Sequence, residues 1–291
     1  MDDVSVRAAL QTAFPTGVVE LLPRLRGSAN RHASVHLATR RLFIKIYASA
    51  SGFETEREVL RLLSNYDAKL PTILPEQSDV KGSLAWQAFP WIELDPIEFD
   101  MPVAAISGKL MAYLHSAPTS PVLEQSPPPL SHVDERLARL NSFPEIHERA
   151  TKVWAAVRLR VLEELSNYDT PPVLLQNDFG KRNIFRRRDT GQVVVIDFER
   201  AGVGDSHWEL GKLWDRELRE DPAIRHAFLQ GYRAQRGLLD EEWPNPALLW
   251  LIRFVATLAI FPYASRVGDR PFFEHGLFKL KLVEAESSQW T

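Results

Sequence analysis

Apolar and polar side chains alternate through the first part of the chain. β-Branched residues recur between Val18 and Tyr47, and the polar Thr39-Arg40-Arg41 separates Ser34–Ala38 from Leu42–Tyr47, which predicts two antiparallel strands. The period then changes. Phe53, Val59, Leu60, Leu62 and Leu63 stand among Glu and Arg at the spacing of an amphipathic helix. A third strand is predicted from Ser83 to Phe89, ended by Pro90, which has no N–H for a ladder. Asp100 is placed to cap a helix starting at Met101-Pro102, and Ile106, Leu110, Tyr113 and Leu114 carry that helix to His115. Five prolines between Ala117 and Pro129 make a stiff loop. Pro144 to Ser166 reads as a long helix, followed by short apolar strands at Val173–Gln176, Ile184–Arg186 and Val193–Phe198 and by helix beyond Trp208. This order predicts an α+β chain in two lobes: a small β-rich N-lobe over residues 1–89 and a larger, mainly helical C-lobe over 90–291.

Composition narrows the function classes. In 291 residues, 45% are hydrophobic and 25% charged, enough apolar material for a sizeable core, which argues against disorder. A net charge of −3 lacks the basic excess of a nucleic-acid binder. The absence of cysteine excludes disulfides, thiolate metal sites and a thiol nucleophile. Met1-Asp2-Asp3-Val4 is acidic where a secretory signal carries positive charge, and no membrane partner is expected. The longest apolar segment, Ala247 to Phe261, is interrupted by Arg253 and reads as a core helix. The expected location is the cytoplasm. His32 and His36 are four apart, but on a predicted strand that spacing does not build a zinc face.

The chemistry concentrates after the long helix. Gln176-Asn177-Asp178-Phe179-Gly180-Lys181-Arg182-Asn183 places an aspartate and an asparagine five apart between two short strands, and Val193 to Glu199 ends an apolar strand at Asp197. Phosphoryl transfer needs one carboxylate to accept the acceptor's hydroxyl proton, and an amide plus a second carboxylate to hold Mg²⁺ against nucleotide phosphates. Asp178 fits the first role, and Asn183 with Asp197 the second. Lys45, inside an apolar alternation, must pair its ammonium or reach a cleft, with Glu58 as its expected partner and Glu56 one register away. Gly27-Ser28-Ala29-Asn30 is a single-glycine loop whose Gly27 and Ser28 can offer donors to phosphate. Lys181 and Arg182 are candidates for contact with transferred phosphate or an acidic substrate, or are solvated loop charges.

These segments resemble the aminoglycoside phosphotransferase and choline kinase family, whose members share a protein-kinase-like fold. The resemblance rests on Asn177-Asp178-Phe179-Gly180 through Asn183 and on Ile196-Asp197-Phe198-Glu199. It extends to Leu42–Tyr47, Glu56–Leu60, Leu110–His115 and Gly204-Asp205 through Glu209-Leu210-Gly211, in the family's order. It implies a small-molecule kinase using ATP or GTP with Mg²⁺ and phosphorylating a hydroxyl. It also implies that Lys45 steadies the nucleotide's α/β-phosphates and that the backbone of Ala88 and Phe89 pairs with the base. Two departures stand out. Gln176-Asn177 occupies the place of the usual His-Gly, and Glu209 that of the usual aspartate. The first of these, with the sparse glycine loop, also motivates an alternative, a nucleotide-binding pseudokinase acting as a scaffold. Acidic and basic residues intermingle beyond Asp215, so charge counting leaves the acceptor open, and the oligomeric state is equally open.

Overall fold

The computed structural model describes residues 2–24, 29–66, 70–81, 84–126, 128–166, 168, 171–238 and 243–289. Helix α1 (Asp3–Ala13) is capped by Asp2, whose side chain accepts from the Ser5 N–H. Strands β1 (Val18–Leu21), β2 (Arg31–His36) and β3 (Arg41–Tyr47) follow, then helix α2 (Ala50–Ser64) and strands β4 (Gln77–Lys81) and β5 (Leu84–Pro90). They form a five-stranded antiparallel sheet in the order β1-β2-β3-β5-β4. Side chains alternate across a strand, so β3 serves two faces. Leu42, Ile44 and Ile46 pack with Trp86, Ala88 and the α1 residues Val6 and Leu10 in one core. Phe43, Lys45 and Tyr47 occupy the opposite face, where Tyr47 meets Phe53 of α2.

The predicted pairing of the first two strands is present with the register Ala33↔Ile44 and Val35↔Leu42. Helix α1 and strand β4 were not anticipated. The first shows an apolar stripe of little more than Val6 and Leu10, and the second is an exposed, polar edge strand.

Beyond β5 the chain runs through β6 (Leu94–Pro96) into α3 (Met101–Ser116), with Asp100 accepting from the Val103 N–H at 2.9 Å as its cap requires. Then come α4 (His132–Ala138), α5 (Pro144–Leu165), β7 (Val173–Leu175), β8 (Ile184–Arg187), β9 (Val193–Val195) and β10 (Gly202–Gly204). β6, β8 and β9 make one small antiparallel sheet, and β7 pairs with β10. The strand expected to reach Phe198 stops at Val195 because Asp197 turns to a left-handed φ of 67°.

The remainder is helical: α6 (His207–Leu213), a π-helical turn at Trp214–Leu218, α7 (Pro222–Arg236), α8 (Pro246–Val267) and α9 (Arg270–Ser287). α8 is apolar and long enough to cross a bilayer, yet 78% of its most apolar stretch is buried within the fold. The largest core joins Val59, Leu60 and Leu63 of α2 to Met111 and Leu114 of α3, Phe179, Phe198 and Phe228. A second core gathers α5, α8 and α9 around Trp154, Phe254 and Val283.

Candidate active site

Lys45 is 8% exposed at its side chain, an expensive place for an ammonium unless it is paired. It donates to Glu56 Oε2 and to Asp197 Oδ1, both at 2.6 Å, and lies 3.3 Å from Glu199 Oε2. Burial works against its charge, but Glu56, Asp197 and Glu199 outweigh that and hold its pKa above the ordinary lysine value. Glu56, not Glu58, is therefore the partner of Lys45. On α2 the buried positions Phe53, Glu56, Val59, Leu60 and Leu63 form one stripe, and Glu58 lies about 200° around the helix from Glu56. Glu58 instead chelates Arg61 at 2.8 Å and bonds Ser120, which lowers its pKa to about 2. The stripe was present in the spacing of Phe53, Glu56 and Leu60, and reading Glu56 as one of its members would have identified the pair.

Glu56 does more than pair the lysine. Its Oε2 also accepts from the Tyr47 hydroxyl at 2.6 Å and its Oε1 from the Phe198 N–H at 2.9 Å, tying α2 to the segment that carries Asp197. Burial and the Glu56 charge push the Tyr47 phenol far above its usual range, so it stays protonated. Glu199 accepts from the Asn30 amide, and Asn30 Oδ1 takes the Ala48 N–H. The loop before β2 is thereby joined to the same cluster.

Asp178 sits between β7 and β8. The residue before it, Asn177, holds a φ of 66°, a conformation natural to glycine and tolerated by Asn. This is how Asn stands in for glycine at that position. The buried Gln176 donates to the Asp197 carbonyl at 2.7 Å and the Ile196 carbonyl at 3.2 Å, and accepts from the Asp178 N–H at 2.9 Å. One neutral side chain thus fixes both acidic loops. Glu209 accepts from the Asn177 N–H at 2.7 Å with one oxygen and bonds His115 Nε2 at 2.9 Å with the other, while His115 Nδ1 meets the Tyr232 hydroxyl. Asn183 donates from Nδ2 to the Asp178 carbonyl at 3.0 Å and to Oδ2 at 3.3 Å. Arg182 and Arg216 approach Asp178 Oδ1 at 3.0 and 3.5 Å.

Lys45, Asp178, Asn183 and Asp197 all line one cleft of about 590 Å³ between the sheet and the helical part. Its apolar walls include Phe43, Leu60, Phe89, Phe185 and Ile196, and Arg41 stacks 3.5 Å over the ring of Trp91 at its rim. Phe89 faces the cleft, but Ala88 does not. The alternation of β5 turns Ala88 into the core beneath α1, and its carbonyl accepts from Glu76 N–H. Pro90, Trp91 and Ile92 line the cleft beside Phe89. The Trp91 N–H donates to the Arg41 carbonyl, so it is engaged within the protein. Lys181 is exposed and outside the cleft lining, its N–H directed at Glu217 Oε1, whereas its neighbour Arg182 lines the cleft. Gly27 and Ser28 lie outside the described residues. Among the described residues, Glu56, Asp197 and Glu199 form one acidic group close enough to share a cation. Glu56 is fully engaged by Lys45, Tyr47 and Phe198, which leaves Asp197 and Glu199 as hard oxygen donors of the type Mg²⁺ prefers.

A β-sheet unit and a helical unit enclosing a cleft that presents a paired lysine, an Asp–Asn loop and a second aspartate is the architecture of small-molecule kinases. The profile of the family described as "Phosphotransferase enzyme family" matches residues 20–249, and the chain belongs to this family. A search of curated proteins finds no matching sequence. Solved structures share the fold at low identity. A putative aminoglycoside phosphotransferase from Ralstonia eutropha superposes with a TM-score of 0.70 at 11% identity, over 100% of this chain and 99% of that one. The GDP complex of aminoglycoside 2'-phosphotransferase-IIIa gives 0.69 at 15%, covering 98% and 99%. A thermostable mutant of APH(4)-Ia with ADP and hygromycin B gives 0.64 at 17%, covering 99% and 100%.

Proposed function

We propose that this protein transfers the γ-phosphoryl group of a Mg²⁺-bound nucleotide, ATP or GTP, to a hydroxyl of a small molecule. The observation that carries the proposal is the convergence of Lys45, Asp178, Asn183 and Asp197 on one cleft. Asp178 accepts the proton of the acceptor hydroxyl as its oxygen attacks the γ-phosphorus and the bond to the β–γ bridging oxygen breaks, releasing the nucleoside diphosphate. Asn183 and Gln176 hold Asp178 in place from its side chain and its backbone. The Lys45 ammonium, kept charged by Glu56, serves the α/β-phosphates. Asp197 and Glu199, with Asn183 lining the same cleft, would hold Mg²⁺, which supplies charge neutralisation at the phosphates. Phe89 and its neighbours at the end of β5 offer the wall for the base. Gln176 ties the two acidic loops together with its side chain, so the departure from the usual His-Gly leaves Asp178 and Asp197 held in the cleft.

The test needs no acceptor. Background hydrolysis of γ-labelled ATP and GTP, with water as acceptor, is measured for wild type, Asp178→Asn and Asp197→Asn. A fall of about 100-fold or more is expected in both variants. Wild-type rates in either variant would remove that residue from the mechanism.

A further inference from the structure

We propose that the acceptor is an anionic alcohol, a small molecule carrying a carboxylate or phosphate beside its reactive hydroxyl, held by Arg182 and Arg216 flanking Asp178. This rests on the phosphoryl-transfer reading above and names its substrate class.

The charges immediately around Asp178 are unequal in kind. Arg182 and Arg216 reach its Oδ1 from the loop and from the π-helical turn, and Arg200 lines the cleft. Lys212, buried, donates to the Asn177 carbonyl at 2.5 Å. Asp197 and Glu199, the open carboxylates of the cleft, are assigned to Mg²⁺ and Lys45, and the carboxylates behind the Asp178 loop are buried and engaged. Glu209 is fully buried with His115, and Glu217, 4% exposed at its side chain, takes the Lys181 N–H, with burial raising its pKa. The cationic groups, by contrast, remain partly open: the Arg182 side chain is 67% exposed and that of Arg216 is 31% exposed. Two guanidiniums on Asp178, Arg182 in the cleft lining and Arg216 beside it, disfavour a polycation at this carboxylate and offer planar donors suited to a carboxylate or phosphate.

Arg216 is placed there by the fold rather than by chance of a flexible side chain. In the π-helical turn, neighbouring residues meet different partners. Asp215 is clamped from behind by Arg253 Nε and Lys279 Nζ, both at 2.7 Å, and Arg216 points forward to Asp178, with Nη2 donating to the Phe179 carbonyl at 2.8 Å. Glycine at 180 leaves room for this reach: a Cβ there would lie 2.9 Å from Arg216 Nη2, and the guanidinium would have to shift. Both arginines lie on Asp178 Oδ1, and an anionic group on the acceptor offers those guanidiniums a further partner as its hydroxyl approaches the carboxylate.

The experiment measures nucleoside diphosphate release with Mg-ATP and Mg-GTP against matched acceptors. The acceptors are hydroxy acids and their amides (glycerate and glyceramide, gluconate and gluconamide), sugar phosphates and their free sugars, and the polycation kanamycin. Release above background is expected only with anionic members. Their preference over the neutral partner should fall about tenfold to 100-fold in Arg216→Gln, and KM for the anion should rise with added salt. Equal or better turnover of a neutral partner or of kanamycin, an undiminished preference in Arg216→Gln, or no response to any anion alongside normal background hydrolysis would each overturn the proposal. Absence of both background hydrolysis and Mg-nucleotide binding would overturn the phosphoryl-transfer reading itself, and this inference with it.

Discussion

Replacing Glu56 by alanine separates the two glutamates of α2 most sharply. The change leaves Lys45 buried with Asp197 and Glu199 as its remaining anions and removes the acceptor for the Phe198 N–H. Breaking a buried ion pair by removing one partner costs about 3–5 kcal/mol, and the two surviving carboxylates place this case near 3. An orphaned buried N–H adds about 1 kcal/mol or more. The expected loss is therefore about 4 kcal/mol, a fall in Tm of roughly 10 °C at this chain length. Glu58→Ala removes contacts with Arg61 and Ser120 at a half-buried site and should cost about 1 kcal/mol or less. Thermal unfolding of the two variants, with Mg-nucleotide titration alongside, measures both effects. Nucleotide affinity should fall with the first change and hold with the second. Equal destabilisation, or a larger loss from Glu58→Ala, would refute the pairing and the helix phase behind it.

Gln176→Ala strands the Asp178 N–H and two carbonyls in a buried position, so stability should fall by about 3 kcal/mol, and turnover should fall further than nucleotide affinity does. Matched kcat and nucleotide Kd measurements check this; an unchanged kcat would sink the role. Burial raises the pKa of Glu217, so its contribution to stability is fully present while the carboxyl is protonated and is lost as pH climbs through the raised value. Glu217→Gln should match wild type at about pH 4 and exceed it at about pH 8, and thermal melts across that range would contradict the argument if the difference ran the other way.

The sequence was most legible where a single local rule decides. Asp100 before Met101-Pro102 marked a helix start, and the polar break at Thr39-Arg40-Arg41 marked a hairpin, because caps and turns depend on a few neighbouring residues. The grouping of Asp178, Asn183 and Asp197 was legible from chemistry and order together. Glu56 was missed because a one-residue register decides which carboxylate faces the sheet, and the Ala88 carbonyl is taken by the Glu76 N–H beside β4, an edge strand that the apolar pattern did not show. β6 and β10 are three-residue strands that exist through their partners β8 and β7. The π-helical turn at Trp214–Leu218 carries no local signature, and its register is fixed by Asp215 meeting Arg253 and Lys279 from distant helices.

The bond between Lys45 and Glu56 crosses a seam. Lys45 rides on the sheet that closes over α1, whereas the C-terminal half of α2 is rooted among the side chains of the helical body through Val59, Leu60 and Leu63. Any tilt of the sheet against that body must stretch this contact together with the one from Lys45 to Asp197. On the proposed function, the phosphate end of the cleft would act as a clasp, at which opening for nucleotide exchange and disarming of the reactive groups would be the same event.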